Sequence, residues 1–190
     1  MTGLDDADKK ILLNIAREAI INAVQNKELP VLDLNNYSKK LQEDGASFVT
    51  LHQKSDGKLR GCIGTLTAYQ PLILDVQAHA VAAALEDYRF SPVSLSEVKD
   101  LEIEISRLTT PTPLNYSKPN DLPKLLKSKI DGVILRNGSH KATFLPQVWE
   151  QLPDAEKFLD HLCMKMGANP DLWRKKILDV AIYQVEEFHE

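Results

Sequence analysis

An arginine and a cysteine stand two residues apart in the segment LRGCIG, residues 59–64. Side chains two positions apart on a β-strand leave the same face, so the guanidinium of Arg60 would stabilise the thiolate form of Cys62. Such a pair is suited to a nucleophile or a redox thiol. Gly61 and Gly64 lack a Cβ atom, which lets a ligand or another backbone segment approach the strand closely.

A structural role accounts for the same residues equally well. Free cysteine is among the most buried residue types, and a glycine inside a strand often marks a β-bulge. In this interpretation Cys62 is a small packing residue, and the neighbouring glycines only permit tight packing. The spacing of the residues does not decide between the two roles.

The segment DYRFSP, residues 87–92, carries a second group of candidates. It follows a predicted helix, and it indicates either an anchor for an anion or partner, or a turn that is locked by an Asp–Arg pair. The candidate catalytic residues are Cys62 and Arg60. The candidate ligand-binding residues are Arg60, Gly61, Gly64, Asp87 and Arg89.

The histidines do not have the spacing of a metal site. His79 shares a helix face with Asp75 and Glu86, an arrangement that is typical of a solvated face. Only His52 is placed to reach Cys62, and one histidine with one cysteine is fewer ligands than zinc needs. No glycine-rich phosphate or dinucleotide motif occurs in the chain. We therefore expect neither a metal nor a cofactor.

Charge and hydropathy argue against two classes of partner. The formal net charge is −4, and the lysines and arginines are scattered, which disfavours nucleic acid. No apolar stretch approaches the roughly 20 residues of a membrane-spanning helix, and the acidic start MTGLDDADKK does not resemble a signal peptide. The two cysteines are far apart, without C-x-x-C spacing. We expect free thiols in a cytoplasmic protein with no membrane partner.

The surroundings of Cys62 depend on the loop of a predicted hairpin. Residues 46–53, ASFVTLHQ, and LRGCIG are both strand-like, and Asp-Gly lies between them. A two-residue loop places Leu51 opposite Cys62 and buries the thiol. A three-residue loop instead places Thr50 opposite Cys62 and His52 opposite Arg60, which surrounds the thiol with polar groups. The sequence does not decide between these two registers.

Helices alternate with strands along the rest of the chain. Apolar residues recur at helical spacing in residues 8–25 and 72–84, whereas residues 101–105 alternate between apolar and polar. A second hairpin is predicted in residues 131–145, with Asn137-Gly138 as a two-residue turn. Residues 179–190 alternate as one closing strand. The pattern predicts an α+β fold of mainly antiparallel sheets with packed helices, in a single domain over residues 1–190.

The hexapeptide LRGCIG is identical to the signature of the AMMECR family, known in bacteria and archaea as the A component of the AmmeMemoRadiSam system. Further segments resemble the family's other blocks in their usual order and cover nearly the whole chain: DYRFSP, LEIEIS, DGVILRNG, ATFLPQVWEQLPD, FLDHLCMKMG and YQVEEF. The resemblance implies a larger and a smaller subdomain, with the hexapeptide beside the cleft between them. It also implies association with a Memo-type protein, similar to class III extradiol dioxygenases, and with a radical SAM protein. It names no substrate.

These observations predict a ligand- or partner-binding component of a pathway that contains Memo-type and radical SAM proteins. The cleft at LRGCIG would bind an unknown small molecule. The alternative is a thiol-dependent enzyme in which Cys62 is a nucleophile or redox thiol activated by Arg60. The chain contains no convincing acid–base pair, which favours binding. A third hypothesis gives the hexapeptide a structural role only.

Overall fold

The computed structural model describes residues 3–190. The chain forms two compact units, a larger one of residues 3–108 with 186–190 and a smaller one of residues 109–185. Each unit combines helices with an antiparallel sheet. The predicted α+β class is therefore confirmed.

The sheet of the larger unit is built around β1, Asp44–Gln53. Its strand order is β2–β1–β4–β9, in which β2 is Leu59–Gly64, β4 is Leu101–Leu108 and β9 is Val185–His189. The short β3, Gln70–Pro71, pairs with the start of β1. The hexapeptide strand β2 therefore lies at an edge of the sheet.

Two long helices cover one face of this sheet. The first, α1, spans Asp6–Val24 and is capped by the Asp5 side chain, and α3 spans Leu72–Leu85. The short α2 is Lys39–Gln42. Apolar side chains of α1 and α3 form one buried core with those of β1 and β4: Leu12, Ile15, Ile20, Leu72, Val76, Ala80, Val49, Leu51, Ile103 and Ile105. The predicted helical and alternating patterns are confirmed by this burial.

The β1–β2 hairpin has a longer loop than either length predicted from the sequence. The N–H of Gln53 donates to the carbonyl oxygen of Lys58 at 2.9 Å, so residues 54–57 form the loop. Gly57 closes it with a φ of 67°, a conformation that a residue with a side chain adopts only with strain. A four-residue loop replaces both predicted alternatives.

A β-bulge at Arg60 then changes the register of β2. His52 lies opposite Leu59, whereas Thr50 lies opposite Cys62, so Arg60 is an extra residue without a partner on β1. The loop has one residue more than the three-residue alternative, and the extra residue in the bulge compensates for this difference. The polar partner Thr50, expected for a three-residue loop, is therefore confirmed for Cys62, but the pairing of His52 with Arg60 is wrong.

The glycines of β2 are explained by close packing within the larger unit. A Cβ atom on Gly61 would clash with the carbonyl oxygen of Ala83 in α3, and one on Gly64 would clash with Phe48 and with the backbone of Ser47. The segments that approach these two glycines closely are thus parts of the protein itself.

The smaller unit contains a four-stranded antiparallel sheet in the order β5–β8–β6–β7. Its strands are β5, Thr112–Pro113, β6, Gly132–Asn137, β7, His140–Phe144, and β8, Asp179–Tyr183. Because β5 has only two residues, most of one side of β8 has no strand partner. The loop before and after β5 lies along this side.

Three helices cover the core of the smaller unit. They are α4, Leu122–Leu125, α5, Ala155–Lys165, and α6, Leu172–Lys175. In the core Trp149 stacks on Phe158 of α5, with ring centroids 3.8 Å apart. None of the helices in residues 3–190 is long and apolar enough to cross a lipid bilayer.

The β6–β7 turn is shifted by one residue from its predicted position. Asn137 pairs with His140, so the loop residues are Gly138 and Ser139. Gly138 has a φ of 61°, as the first loop position of a type II′ turn requires, and glycine takes this conformation more readily than asparagine. In the observed register Val133, Leu135, Ala142 and Phe144 share one face of the hairpin and contribute to the core of the smaller unit.

The C-terminal segment forms two strands instead of the single strand predicted. β8 ends at Tyr183 and pairs with β6, whereas β9 begins at Val185 and pairs with β4. Gln184 separates them, and its backbone bonds to Thr109. Alternation continues through both strands, so the sequence pattern contains no break at this position.

Replacing Gly61 with alanine should destabilise the protein by about 1–3 kcal/mol, because the new Cβ atom meets a helix backbone that cannot move independently. Urea unfolding measures the loss. Gly3→Ala is the matched control, since its Cβ atom would meet only the end of the Glu186 side chain and no backbone atom, and its change should stay below about 0.5 kcal/mol. Equal stability of the two variants would contradict the packing argument.

Candidate functional site

Cys62 lies on the face of the larger sheet that is turned away from the two long helices. Side chains alternate along β2, and because Gly61 faces α3, Cys62 faces the opposite way. Its side chain is half-buried, and the Thr50 hydroxyl donates a hydrogen bond to Sγ at 3.3 Å. Thr50 lies opposite Glu104 on β4. Cys62 therefore belongs to a polar row and not to the apolar core.

Arg60 is held by a different part of the chain. It is buried, and its Nε donates to Glu97 Oε1 at 3.2 Å, while Nη1 donates to the Ser91 carbonyl oxygen at 2.9 Å. Nη2 lies 3.1 Å from the same Glu97 oxygen, within ion-pair distance. The bulge at Arg60 interrupts the strict alternation from which a shared face with Cys62 was expected. The guanidinium consequently anchors the segment after α3. The catalytic roles of Arg60 and Cys62 stay predictions.

Glu97 is the partner that the sequence analysis missed. Its Oε2 accepts hydrogen bonds from the N–H of Ser94 at 2.7 Å and from the Ser94 hydroxyl at 2.8 Å. These bonds, the backbone one foremost, lower the pKa of Glu97, so it is ionised at neutral pH beside Arg60. The spacing Ser-x-x-Glu is that of a capping box, and this signal was present in the sequence.

Asp87 and Arg89 bind the backbone of Cys62 at the open edge of β2. The N–H of Cys62 donates to Asp87 Oδ2 at 2.9 Å, and its carbonyl oxygen accepts from Arg89 Nη2 at 3.4 Å. Arg89 also donates to both Asp87 oxygens, through Nε at 2.9 Å and Nη2 at 2.6 Å. The ion pair thus occupies the position of a neighbouring strand and protects this part of the edge.

The two charges of this pair differ in exposure. The Asp87 side chain is 3% exposed, whereas that of Arg89 is 44% exposed. Hydrogen bonds from Arg89 hold the pKa of Asp87 well below its usual range, and the same bonds raise the pKa of Arg89. Within residues 3–190, Nη1 of Arg89 has no hydrogen-bond partner. Arg89 is therefore an exposed cation beside Cys62.

His79 and Asp75 are buried, which overturns the predicted solvated helix face. Asp75 is fully buried, and its Oδ2 accepts from the N–H of Ser47 at 2.9 Å and from the Ser47 hydroxyl at 2.7 Å. The Nδ1 of His79 lies 3.1 Å from the same oxygen. The cluster connects α3 to β1 on the helix-covered face. Helical spacing could not reveal it, because Ser47 comes from another element.

His52 and Glu104 are further polar residues near Cys62, and the contact between them is long. His52 Nδ1 lies 3.2 Å from the carbonyl oxygen of Gly57, and its Nε2 lies 3.9 Å from Glu104 Oε2. In the described part of the chain, no three histidine, cysteine, aspartate or glutamate side chains are arranged to hold a metal ion. Beside the Cys62 side chain this face therefore presents the Thr50 hydroxyl, whereas the exposed guanidinium of Arg89 lies at the strand edge, on the Cys62 backbone.

Comparisons with known proteins cover both units. The AMMECR1 family model matches residues 13–188. A protein of Methanothermobacter thermautotrophicus is 37% identical over 95% of this chain and 93% of its own length, and protein MJ0810 of Methanocaldococcus jannaschii is 34% identical over 92% of this chain and 86% of its own. The crystal structure of uncharacterized protein PH0010 from Pyrococcus horikoshii has a TM-score of 0.80 at 33% identity, covering 98% of this chain and 93% of that one.

Asp87→Asn should lower the free energy of unfolding by about 1–2 kcal/mol at neutral pH, because it removes the charge that Arg89 binds. The folded-state pKa of Asp87 lies below the unfolded value of about 3.9. Its contribution is therefore present at neutral pH and disappears as the pH falls below about 4. Chemical denaturation of both proteins across this range measures the difference.

The control for this substitution is Asp56→Asn, which removes an exposed carboxylate from the β1–β2 loop. Because its pairing with Lys58 is exposed to solvent, we expect a change in stability well below that of Asp87→Asn at every pH in the series. A wild-type advantage over Asp87→Asn that stayed constant on acidification would show that the charge of Asp87 does not act through Arg89.

Proposed function

Since the chain belongs to the AMMECR1 family, we propose that it is a binding component whose site, beside Cys62, recognises an anionic group of a small molecule through Arg89. The observation that supports this proposal most directly is the exposure of the Arg89 side chain. Its side chain is nearly half exposed, yet it is fixed by the buried carboxylate of Asp87. A guanidinium that is already oriented loses less conformational entropy when it binds a carboxylate or phosphate.

The buried surroundings of Arg60 support assigning this role to Arg89. The Arg60 side chain is 9% exposed, and the carboxylate of Glu97 already pairs with it. An anion reaching Arg60 would have to displace Glu97. Arg89 offers the free Nη1, while its other nitrogen atoms keep it attached to Asp87 and to the Cys62 carbonyl oxygen.

The surroundings of Cys62 support binding over acid–base catalysis. Its described neighbours are the Thr50 hydroxyl and the Asp87–Arg89 pair. Because Asp87 stays ionised and is saturated with hydrogen bonds, it is a poor proton donor and a poor base at neutral pH. The groups around the thiol are therefore suited to holding a ligand.

The proposal includes Memo-type and radical SAM proteins as partners. It rests here on the family resemblance carried by LRGCIG and the six further segments. A binding component would present or protect a small molecule that these partners process.

Co-expression with the Memo-type and radical SAM proteins of the same genome, followed by native mass spectrometry, tests the proposal. We expect a complex with a bound small molecule, and about a tenfold lower recovery of that molecule with Arg89→Gln, because a charge-assisted hydrogen bond is lost. Lys58→Gln removes an exposed positive charge from the same hairpin and should leave recovery unchanged. Two outcomes contradict the proposal. One is equal recovery of the small molecule with Arg89→Gln and the wild type. The other is purification of the wild-type chain with neither a bound small molecule nor a partner protein.

A thiol-dependent enzyme is the second candidate function, and the position of Arg89 modifies it. Cys62 is half-buried, and the exposed guanidinium of Arg89 contacts its backbone carbonyl oxygen. A nearby cation is one of the features of reactive cysteines. In this form of the hypothesis the activating arginine is Arg89, since Arg60 is bound to Glu97.

Alkylation with iodoacetamide tests thiol activation at Cys62. Cys163, the other cysteine, is fully buried, and burial raises the pKa of its thiol, so early modification reports on Cys62. If Arg89 activates the thiol, Arg89→Gln lowers the alkylation rate at neutral pH several-fold, and Arg60→Gln does not. Mass spectrometry of the time course measures both rates. A wild-type rate no faster than that of an unstructured cysteine peptide excludes activation.

A further inference from the structure

A groove of about 480 Å³ lies in the smaller unit between β8 and the loop around β5. Its size is in the range of small-molecule sites, roughly 300–1,000 Å³. The apolar part of its lining comes from both sides: Pro111, Pro113, Leu114, Tyr116, Ile177 and Ala181. The groove therefore offers an apolar surface to a compact ligand.

Tyr116 contributes an apolar wall to this groove. Its hydroxyl accepts a hydrogen bond from the N–H of Leu178 at 2.7 Å and donates to the carbonyl oxygen of Leu178 at 3.1 Å. Both hydrogen-bonding functions of the hydroxyl are thus satisfied within the protein, and burial raises the pKa of Tyr116, which keeps the phenol neutral. Next to it, Ile177 is 46% exposed, so apolar surface is left open in the groove.

Arg136 is exceptional among the six arginines of the chain. The other five form ion pairs with carboxylates: Arg17, Arg60, Arg89, Arg107 and Arg174. Arg136 lines the groove, and within residues 3–190 it has no carboxylate within ion-pair distance. An unpaired guanidinium beside apolar surface is suited to bind the carboxylate of a ligand.

Asp179 supplies the opposite charge in the same groove. It lies opposite Arg136 in the β6–β8 pairing and also lines the groove. No hydrogen-bond or ion-pair partner of its carboxylate occurs in the described part of the chain. Two opposite charges therefore stand side by side on neighbouring strands without pairing with each other.

We propose that this groove binds a small zwitterion with an apolar body, such as an apolar amino acid. The carboxylate of the ligand pairs with Arg136, its ammonium group pairs with Asp179, and its side chain lies on the wall formed by Tyr116, Leu114 and Ile177. The site goes beyond the proposed function, because it lies in the smaller unit and uses none of the residues around Cys62.

Titration of the full-length, isotope-labelled chain with L-phenylalanine, L-leucine and L-methionine tests the site by NMR. We expect shifts of the amide signals of residues 114–116 and 177–181 with at least one of the three. For that amino acid, N-acetylation removes the ammonium charge and amidation removes the carboxylate. Each change should weaken binding about tenfold, because each removes one charge-assisted contact.

Two substitutions and a matched control assign the charges. Arg136→Gln should weaken binding of the amino acid about tenfold, and Asp179→Asn should abolish the preference over its N-acetyl derivative. Lys141→Gln is the control, because Lys141 is exposed and lies opposite Arg136 on β7 but does not line the groove. Its affinity should equal that of the wild type.

Three results would overturn the proposal. The first is the absence of shifts at these residues with all three amino acids at about 10 mM, well above the range of weak but specific binding. The second is equal affinity of Arg136→Gln and wild type. The third is binding of the N-acetyl derivative as tightly as the free amino acid. Because Arg89 is not part of this groove, the groove and the site beside Cys62 are tested separately. A negative result for one proposal does not contradict the other.

Discussion

The arrangement around Cys62 depends on the close contact between α3 and the edge strand β2. Gly61 makes this contact possible, because a side chain at this position would overlap the carbonyl oxygen of Ala83. Only a few residues after Ala83, the chain leaves α3 and brings Asp87 and Arg89 to the backbone of Cys62. A larger residue would push the end of the helix outward and carry the ion pair away from the strand edge. The same close contact that packs α3 against β2 therefore also positions the ion pair at the Cys62 backbone.

Charges near the hexapeptide are distributed by burial. Arg60 and Asp87, the buried members, are each matched by an oppositely charged partner that is more exposed, Glu97 and Arg89. An unpaired charge in either buried position would be strongly destabilising. The outcome is one exposed anion and one exposed cation, and of these it is Arg89 that contacts the Cys62 backbone. The exposed charge beside the Cys62 backbone is therefore positive.

The two faces of the larger sheet differ in burial and composition. On the helix-covered face, the buried Ser47–Asp75–His79 cluster joins β1 to α3, and its hydrogen bonds add directional contacts to an apolar core. On the opposite face, Cys62 and Thr50 remain half-buried and polar. A bulge of one residue on β2 maintains this separation, because a shift by one position would exchange the two faces. The loop length and the bulge must therefore match.

The sequence alone determined the fold class and most of the helices and strands, and it singled out the segments LRGCIG and DYRFSP as candidates, because periodicity, turn residues and short motifs are local properties. It also revealed the strict alternation of residues 101–105, whose apolar members Leu101, Ile103 and Ile105 are buried. Only the tertiary structure decided which arginine stands beside Cys62. The bulge at Arg60, the return of Asp87 and Arg89 to the strand edge, and the separation of β8 from β9 at Gln184 all arise from pairing between distant segments. Local spacing contains no information on such pairing, since it depends on which backbone groups and charges become buried together.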